Sequence, residues 1–240
     1  MVYNIVKHRM INATAIIPAG GSGRRMESRE AKQYLLLQGI PLLVHTLRPF
    51  QNAAVIREII LVVPADDVVK MRTYIVDAYS LTKIRKVVAG GKERQDSVRN
   101  GLAVLPADCE IVLIHDAARP FVSPALIEKA IDGALREGAA AVGIRARDTV
   151  KQCDGAGRVI DTLDREQIWM AQTPQAFRRT TIVAAHQKAQ EENFYGTDDA
   201  ALVERMGIPV IMIDGIPDNI KITTRDDLAW AEYRLSARKL

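Results

Sequence analysis

The sequence has only two cysteines, Cys109 and Cys153, in 240 residues. They lie far apart and show no Cys-x-x-Cys or Cys/His spacing, which argues against a disulfide framework and against a structural zinc site. Aromatic residues make up 5% of the chain, and its 33 Lys and Arg are interleaved with 29 Asp and Glu rather than gathered in a run. Neither a stacking platform nor a basic stripe for nucleic acid is supported. No apolar run approaches the ~18–20 residues of a membrane helix. The first dozen residues hold Lys7, His8 and Arg9 but not the apolar stretch of a signal peptide. A reducing, cytoplasmic setting without nucleic-acid or membrane partners is therefore expected. The small positive excess, +4, favours a small anionic ligand, and the length suits one domain, residues 1–240, better than two.

Against these absences stands Pro18-Ala19-Gly20-Gly21-Ser22-Gly23-Arg24-Arg25-Met26, with Lys32 six residues beyond. It follows a short apolar run at 15–17, so a buried strand opens into a glycine-rich loop bearing cations. Glycines let backbone N–H groups approach phosphate oxygens, and the adjacent cations add charge that backbone dipoles lack. The loop is a candidate triphosphate cradle. It is not a Walker loop, because Gly23 is followed by Arg24, and not a dinucleotide fingerprint, because Met26 replaces the third small residue. A strand-to-helix turn that is glycine-rich for packing alone is the bland alternative.

Ile- and Val-rich runs at 15–17, 59–63, 84–88 and 111–114 read as strands covered on both faces. Helical patterns at 42–51, 66–79 and 93–105 lie between them, giving the βαβ rhythm of a doubly wound, mostly parallel sheet. Ser123-Pro124 opens a helix that Gly138 ends, and 139–144 returns as a strand. Near Asp148 the pattern turns polar: 149–153 and 158–163 flank an Asp154-Gly155-Ala156-Gly157 turn, which predicts a protruding β-arm at about 148–163. Helices follow at 180–192 and 197–206, with Gly207 as the residue past the helix end, then a strand at 209–213. Thr224-x-x-Asp227 resembles a capping box and starts the last helix.

In open α/β sheets ligands bind outside the carboxyl ends of the strands. His115-Asp116-Ala117-Ala118-Arg119 follows one strand and the glycine loop another. Asp116 is either a Mg²⁺ ligand, since that hard cation is held by one or two carboxylates plus phosphate and water, or the cap of a turn. Gly90-Gly91-Lys92-Glu93-Arg94-Gln95-Asp96-Ser97 is a second glycine turn that either packs backbone against a base, with the Ser97 hydroxyl beside it, or is an ordinary connection. His115 has no nucleophilic partner and reads as structural. His8, His45 and His186 show no metal spacing and receive no chemical role.

PAGGSGRRM with Lys32 in AKQYLLL, GGKERQDSV, HDAARPF, RDTVK, DREQIWMAQTPQAF, YGTDDAALVE and DNIKIT occur in that order. Together they resemble the 2-C-methyl-D-erythritol 4-phosphate cytidylyltransferase family. The resemblance implies a Rossmann-like nucleotidyltransferase that joins CTP to a polyol phosphate with Mg²⁺ and releases pyrophosphate. By motif, Ala19, Gly20, Gly21 and Gly23 would cradle CTP, with Gly91 and Ser97 around the nucleoside. Arg25 and Lys32 would be the catalytic cations and Asp116 the metal ligand. Ala117 and Arg119 would shape the site, while Thr149, Arg165, Thr197 and Lys221, with Thr173 in support, would serve the acceptor phosphate. Lys92 stands where some relatives have Asp, so a side-chain contact to CTP does not carry over there.

The acceptor in such a reaction is an already ionised phosphate monoester, so the lack of a Ser/His/Asp apparatus is consistent; what is needed is neutralised repulsion and alignment. Arg25, Lys32 and Mg²⁺ meet that need, whereas Arg24 reads as solvated or structural. The related ribitol-5-phosphate cytidylyltransferases share these motifs and form the near alternative. A noncatalytic nucleotide-binding module is the more distant one. The polar arm would be marginal alone, which predicts a homodimer in which Thr149 and Arg165 reach the neighbouring active site.

Overall fold

The computed structural model describes residues 11–20 and 34–237. In chain order they form β1 (Ala13–Pro18), a short hairpin of β2 (Leu36–Leu37) and β3 (Ile40–Pro41), α1 (Leu42–Asn52) and β4 (Ile56–Val63). A helical segment then passes from a 3₁₀ turn at Ala65–Asp67 through α2 (Val68–Met71) into a π turn at Arg72–Asp77. Next come β5 (Ile84–Ala89), α3 (Arg94–Leu102), β6 (Ile111–Ile114), α4 (Pro124–Glu137) and β7 (Ala139–Arg145). The arm is β8 (Val150–Cys153) and β9 (Val159–Leu163), and a 3₁₀ turn at Arg165–Gln167 leads to β10 (Trp169–Arg178). The chain continues through α5 (Arg179–Glu191), α6 (Asp199–Glu204), β11 (Ile211–Asp214) and α7 (Arg225–Ala237).

Seven strands make one sheet in the order β11-β7-β10-β6-β1-β4-β5. β10 runs antiparallel to both neighbours; the other pairings are parallel. The doubly wound, mostly parallel expectation thus holds. Its cause is visible in the alternation of side chains along each strand. Ala15, Ile17, Ile59, Leu61, Val63 and Leu113 point into one core beneath α1 and α4. Ile16, Ile60, Val62, Val112 and Ile114 point into the other, beneath α3, α5 and α6. Each Ile or Leu so buried contributes about 1.5–3 kcal/mol relative to exposure. A smaller cluster of Leu37, Leu42, Phe121, Ile222 and Ala231 seats α7 against the β2–β3 hairpin.

The predicted boundaries hold where caps are explicit. The Ser123 hydroxyl accepts from the Leu126 N–H at 3.2 Å with Pro124 in the first turn, and Gly138 and Gly207 take the left-handed conformations, φ 91° and 75°, that end their helices. Asp227 accepts from the Thr223 and Thr224 N–H groups while Thr224 Oγ1 caps the Asp227 N–H. Three expectations are corrected. The helix read over 66–79 divides into 3₁₀, α and π pieces; its run of β-branched Val, Thr and Ile is poorly suited to one regular helix. The helices read over 93–105 and 197–206 are shorter, because Asp198 rather than Thr197 caps the second, accepting from the Ala201 N–H at 2.9 Å.

β10 itself has no counterpart in the sequence reading. Pro174 and the polar Gln172, Thr173 and Gln175 obscure its alternation, and the strand tolerates them by breaking register with β7 between Ala171 and Gln175. The Thr173–Pro174 peptide is cis.

Among the described residues the arm strands pair only with each other. Asp154 staples its turn by accepting from the Ala156 and Arg158 N–H groups, both at 2.9 Å. Val159 and Ile160 are exposed on it, at 58% and 63%. Among the described residues no helix is long and apolar enough to cross a membrane.

α3 approaches the sheet closely at Gly101, where an added Cβ would lie 2.7 Å from Ile16 Cγ2 and 3.2 Å from Val62 Cγ2. Both neighbours are fully buried and cannot yield. Gly101→Ala is expected to lower stability by about 1–2 kcal/mol, the overpacking penalty outweighing the better helix propensity of Ala. Denaturant unfolding measures it; an unchanged or higher midpoint would contradict the packing argument.

Candidate active site

Three strand-end loops are drawn together around β4 and β1. The Ala19 N–H donates to the Val62 carbonyl and the Gly90 N–H to the Val63 carbonyl, each at 2.7 Å. The starts of the two glycine turns, which follow β1 and β5, are therefore pinned to adjacent residues of β4. The His115 N–H donates to the Ile16 carbonyl at 3.1 Å, bringing the loop after β6 to the same edge. Ala19 is buried and Gly20 opens outward, with nothing within 4 Å of an added Cβ. Gly21, Gly23, Arg25 and Lys32 lie outside the described residues.

The second turn is built tightly on α3. An added Cβ on Gly91 would sit 2.3 Å from Asp96 Cβ, so glycine is required there for close approach. The Gly91 N–H donates to Ser97 Oγ at 3.1 Å, and that hydroxyl donates to the Glu93 carbonyl at 3.2 Å. Beside it, Lys92, Glu93, Arg94, Gln95, Tyr195 and Gly196 line an open cleft of about 430 Å³.

Asp116 is the hub of the charged groups. Its Oδ1 accepts from Arg94 Nε at 3.1 Å and its Oδ2 from Lys221 Nζ at 2.9 Å. Arg119 Nε stands 3.6 Å from Oδ2, an ion pair without a hydrogen bond. Burial alone would raise this carboxyl's pKa, but Arg94, Lys221 and Arg119 prevail and hold it well below the usual carboxylate range. The carboxylate is thus spent on side-chain cations, and among the described residues none of its oxygens accepts from a backbone N–H as a turn cap would. Its backbone is fixed separately: the Asp116 N–H donates to Thr173 Oγ1 at 3.0 Å, and that hydroxyl meets His115 Nδ1 at 2.9 Å. With Thr173 Oγ1 accepting from Asp116, its proton goes to Nδ1, and His115 Nε2 donates to the Arg119 carbonyl at 3.1 Å. Burial drives the His115 pKa down to about 4, so this ring is neutral near pH 7 and structural, as the sequence suggested.

Lys221 is delivered by a pinned loop. Asn219 Nδ2 donates to the Thr173 carbonyl at 2.7 Å, Arg119 donates to the Asn219 carbonyl at 2.8 Å, and the Ile222 N–H donates to the Ala118 carbonyl at 2.8 Å. The Ala117 carbonyl accepts from the Thr46 hydroxyl at 2.8 Å. Asp116, Ala117, Arg119, Thr173 and Lys221 are therefore one cluster. Thr197 is exposed just before α6. Thr149 and Arg165 are exposed at the base of the arm, and Arg165 donates to the Arg147 carbonyl at 3.0 Å. Among the described residues neither forms a hydrogen bond or ion pair with the Asp116 cluster.

Two members of the site carry no role in the sequence reading. Arg94 reaches past Asp116 to Asp199 Oδ2 at 2.7 Å, and Asp199 Oδ1 meets His186 Nε2 at 3.0 Å. Both residues stand inside recognised motifs, GGKERQDSV and YGTDDAALVE, but an ion pair spanning 105 residues leaves no local pattern. Among the described residues no cluster of three or more His, Cys, Asp or Glu could hold a metal. A single hard carboxylate with spare acceptor capacity fits Mg²⁺ that is bound mainly through phosphate oxygens and water.

The family model for 2-C-methyl-D-erythritol 4-phosphate cytidylyltransferase matches residues 13–237. The chain is 56% identical over 218 residues to the 2-C-methyl-D-erythritol 4-phosphate cytidylyltransferase of Syntrophus aciditrophicus (strain SB), covering 91% of this chain and 93% of the relative. It is 47% identical over 229 residues to that of Geotalea uraniireducens (strain Rf4), covering 95% and 98%. Among solved structures it is similar to 4-diphosphocytidyl-2C-methyl-D-erythritol synthase from Anaerococcus prevotii DSM 20548, with a TM-score of 0.83 at 34% identity over 95% of this chain and 97% of the other. By sequence along nearly its whole described length, and by fold, the chain belongs to the 2-C-methyl-D-erythritol 4-phosphate cytidylyltransferase family.

Proposed function

We propose that the protein transfers the cytidylyl group of CTP to 2-C-methyl-D-erythritol 4-phosphate, giving 4-diphosphocytidyl-2-C-methyl-D-erythritol and pyrophosphate in non-mevalonate isoprenoid biosynthesis. The observation that carries this reading is the meeting of Ala19, the second glycine turn and the ionised, cation-ringed Asp116 at the carboxyl ends of β1, β4, β5 and β6, in a chain of this family. An oxygen of the acceptor phosphate attacks the α-phosphorus of CTP; the bond from that phosphorus to the bridging oxygen breaks, and pyrophosphate leaves with the electron pair. A phosphate monoester is largely dianionic near pH 7, its second pKa being about 6, so no side chain has to remove a proton.

Each residue then answers to charge or alignment. Ala19, Gly20, Gly21 and Gly23 offer backbone to the triphosphate, and Gly91 with Ser97 bounds the nucleoside. Arg25 and Lys32 stabilise the charge developing on the phosphates, Arg as a planar fork and Lys as a point charge. Asp116 holds Mg²⁺, which when bound screens the triphosphate. Lys221, 40% exposed and paired with Asp116, presents its ammonium to the acceptor phosphate, aided by Thr197, which is exposed just before α6. Ala117 and Arg119 shape the floor. Thr173 serves by a different route from the one its motif implied: it is buried and its hydroxyl is engaged by Asp116 and His115, so it supports the acceptor site through Asp116. A cytoplasmic setting accords with the two free cysteines.

The working unit is a homodimer in which Thr149 and Arg165 of one arm bind the acceptor phosphate in the other subunit's site. The support is the self-paired arm with exposed Val159 and Ile160, together with an Arg165 whose hydrogen bond goes to the Arg147 carbonyl of its own arm base. A two-stranded ribbon is marginal in water without a covering surface.

A pyrophosphate-release assay with Mg²⁺ tests the reaction. CTP with 2-C-methyl-D-erythritol 4-phosphate is expected to turn over far faster than ATP, GTP or UTP with the same acceptor, and faster than CTP with ribitol 5-phosphate. Preference for ribitol 5-phosphate, or no pyrophosphate with any pair, would overturn the assignment. Subunit exchange tests the shared site. Mixed Arg165→Ala and Lys32→Ala proteins, each inactive alone, should regain activity because a heterodimer restores one intact site. Exchange seen by mass spectrometry without recovered turnover would reject it.

A further inference from the structure

Arg94 is the first residue of α3, yet its guanidinium faces two carboxylates from distant parts of the chain. Nε donates to Asp116 Oδ1 and a terminal nitrogen to Asp199 Oδ2, at 3.1 and 2.7 Å. Asp199 is itself immobilised. It is 1% exposed, its second oxygen meets His186, and its N–H donates to Gln175 Oε1 at 3.2 Å. The Gln175 amide in turn donates to Asp198, the cap of α6, at 2.7 Å. The far side of Arg94 is therefore clamped to β10, α5 and α6, and its near side holds one oxygen of Asp116.

The other two cations on Asp116 are placed differently. Arg119 meets it only at 3.6 Å and uses its hydrogen bond on the Asn219 carbonyl. Lys221 has a long flexible stem and is 40% exposed, so it is the member able to leave for a phosphate. A carboxylate that must receive a metal needs one oxygen fixed while the other exchanges partners, and outer partners of this kind orient metal ligands elsewhere.

We propose that Arg94 is a positioning residue for the transfer reaction: anchored by Asp199 and His186, it fixes the Asp116 carboxylate through Oδ1 and leaves Oδ2, now on Lys221, as the oxygen that would exchange for Mg²⁺. This rests on the proposed cytidylyl transfer. It also gives the Asp of the second motif and the Arg of the first a joint role, because Arg94 links the base-side glycine turn, the metal ligand and the loop carrying Thr197.

Removing Arg94 alone would leave Asp199 buried without its counter-ion, so a paired Arg94→Met/Asp199→Asn protein replaces the bridge with neutral groups of similar size. CTP binding is measured by calorimetry in EDTA and again with Mg²⁺. The folded paired variant is expected to bind CTP in EDTA within about two-fold of wild type, while the affinity gained on adding Mg²⁺, and kcat, fall by about 10–100-fold, the usual loss when an outer partner of a metal ligand is removed. Asp116→Asn should lose the same gain, and combining it with the paired variant should cost nothing more, since the three residues act as one unit. Should the paired variant fail to fold, Arg94→Lys keeps a cation beside Asp199 but cannot span both carboxylates, and the same loss is expected. A wild-type Mg²⁺ gain in a folded variant, losses that simply add to that of Asp116→Asn, or a wild-type protein with no Asp116-dependent gain would each overturn the role. Wild-type protein that shows the Mg²⁺ gain but releases no pyrophosphate would defeat the transfer reading instead, and the calorimetric cycle would still decide Arg94.

Discussion

Asp116 and Asp199 are two carboxylates taken out of water on opposite sides of one guanidinium, and they tie the loop after β6, the start of α3, β10 and the start of α6 to one another. Burial works against the charge of all three groups, but each carboxylate holds Arg94 charged above its usual range, and Arg94, aided by Lys221 and Arg119 on one side and His186 on the other, holds both aspartates ionised. Such a network is a weak source of net stability but costly to break at one point, because an unpaired buried charge remains. Its sign with pH is fixed. Both aspartates have folded pKa values depressed below the unfolded value, near 3.9, so their contribution is complete above that value and is lost as pH falls through the folded ones.

The fold supplies the three attachments this network needs. Strands β1, β4, β5 and β6 run parallel, with β1 and β5 flanking β4, so their carboxyl ends and the loops that leave them are neighbours. β10, inserted antiparallel between β6 and β7, brings Thr173 against the Asp116 N–H and Gln175 against the start of α6. One strand thereby sets both ends of the charged bridge. Asn219 adds the loop of Lys221 to the same strand. The buried members are held at two or more points, whereas Lys221 is held by Asp116 and keeps its exposed stem, a division that suits a site with one fixed wall and one responsive cation.

How much of this was legible in the sequence varies with the range of the interaction involved. Strands β1, β4, β5 and β6, the Ser123 cap, the Gly138 and Gly207 terminators and the arm turn at Asp154–Gly157 are encoded by neighbours a few residues apart, and the reading located them. β10 was hidden because Pro174 and three polar residues break its alternation, and its pairing depends on a register shift that only the adjacent strand explains. The grouping of Asp116, Ala117, Arg119 and Lys221 was reachable through ordered motifs. The Arg94–Asp199 bridge was not: nothing near either residue announces a partner across the sheet edge, although both lie in motifs that carried the family resemblance. His115 was read correctly as structural for want of a nucleophile, and the neutral, doubly bonded ring gives the physical reason.

The central claim is that Asp116 remains a carboxylate inside a largely buried, cation-ringed site. Carbon-13 NMR of aspartate-labelled protein, with the Asp116 side-chain resonance assigned through Asp116→Asn, measures this directly as pH is lowered. The resonance should stay at its ionised position through the range near pH 4 in which ordinary aspartates titrate, moving only when acid unfolding begins. Titration of Asp116 near pH 4 in protein that is still folded would contradict the account, since it would mean that Arg94, Lys221 and Arg119 do not hold the charge on which the site is built.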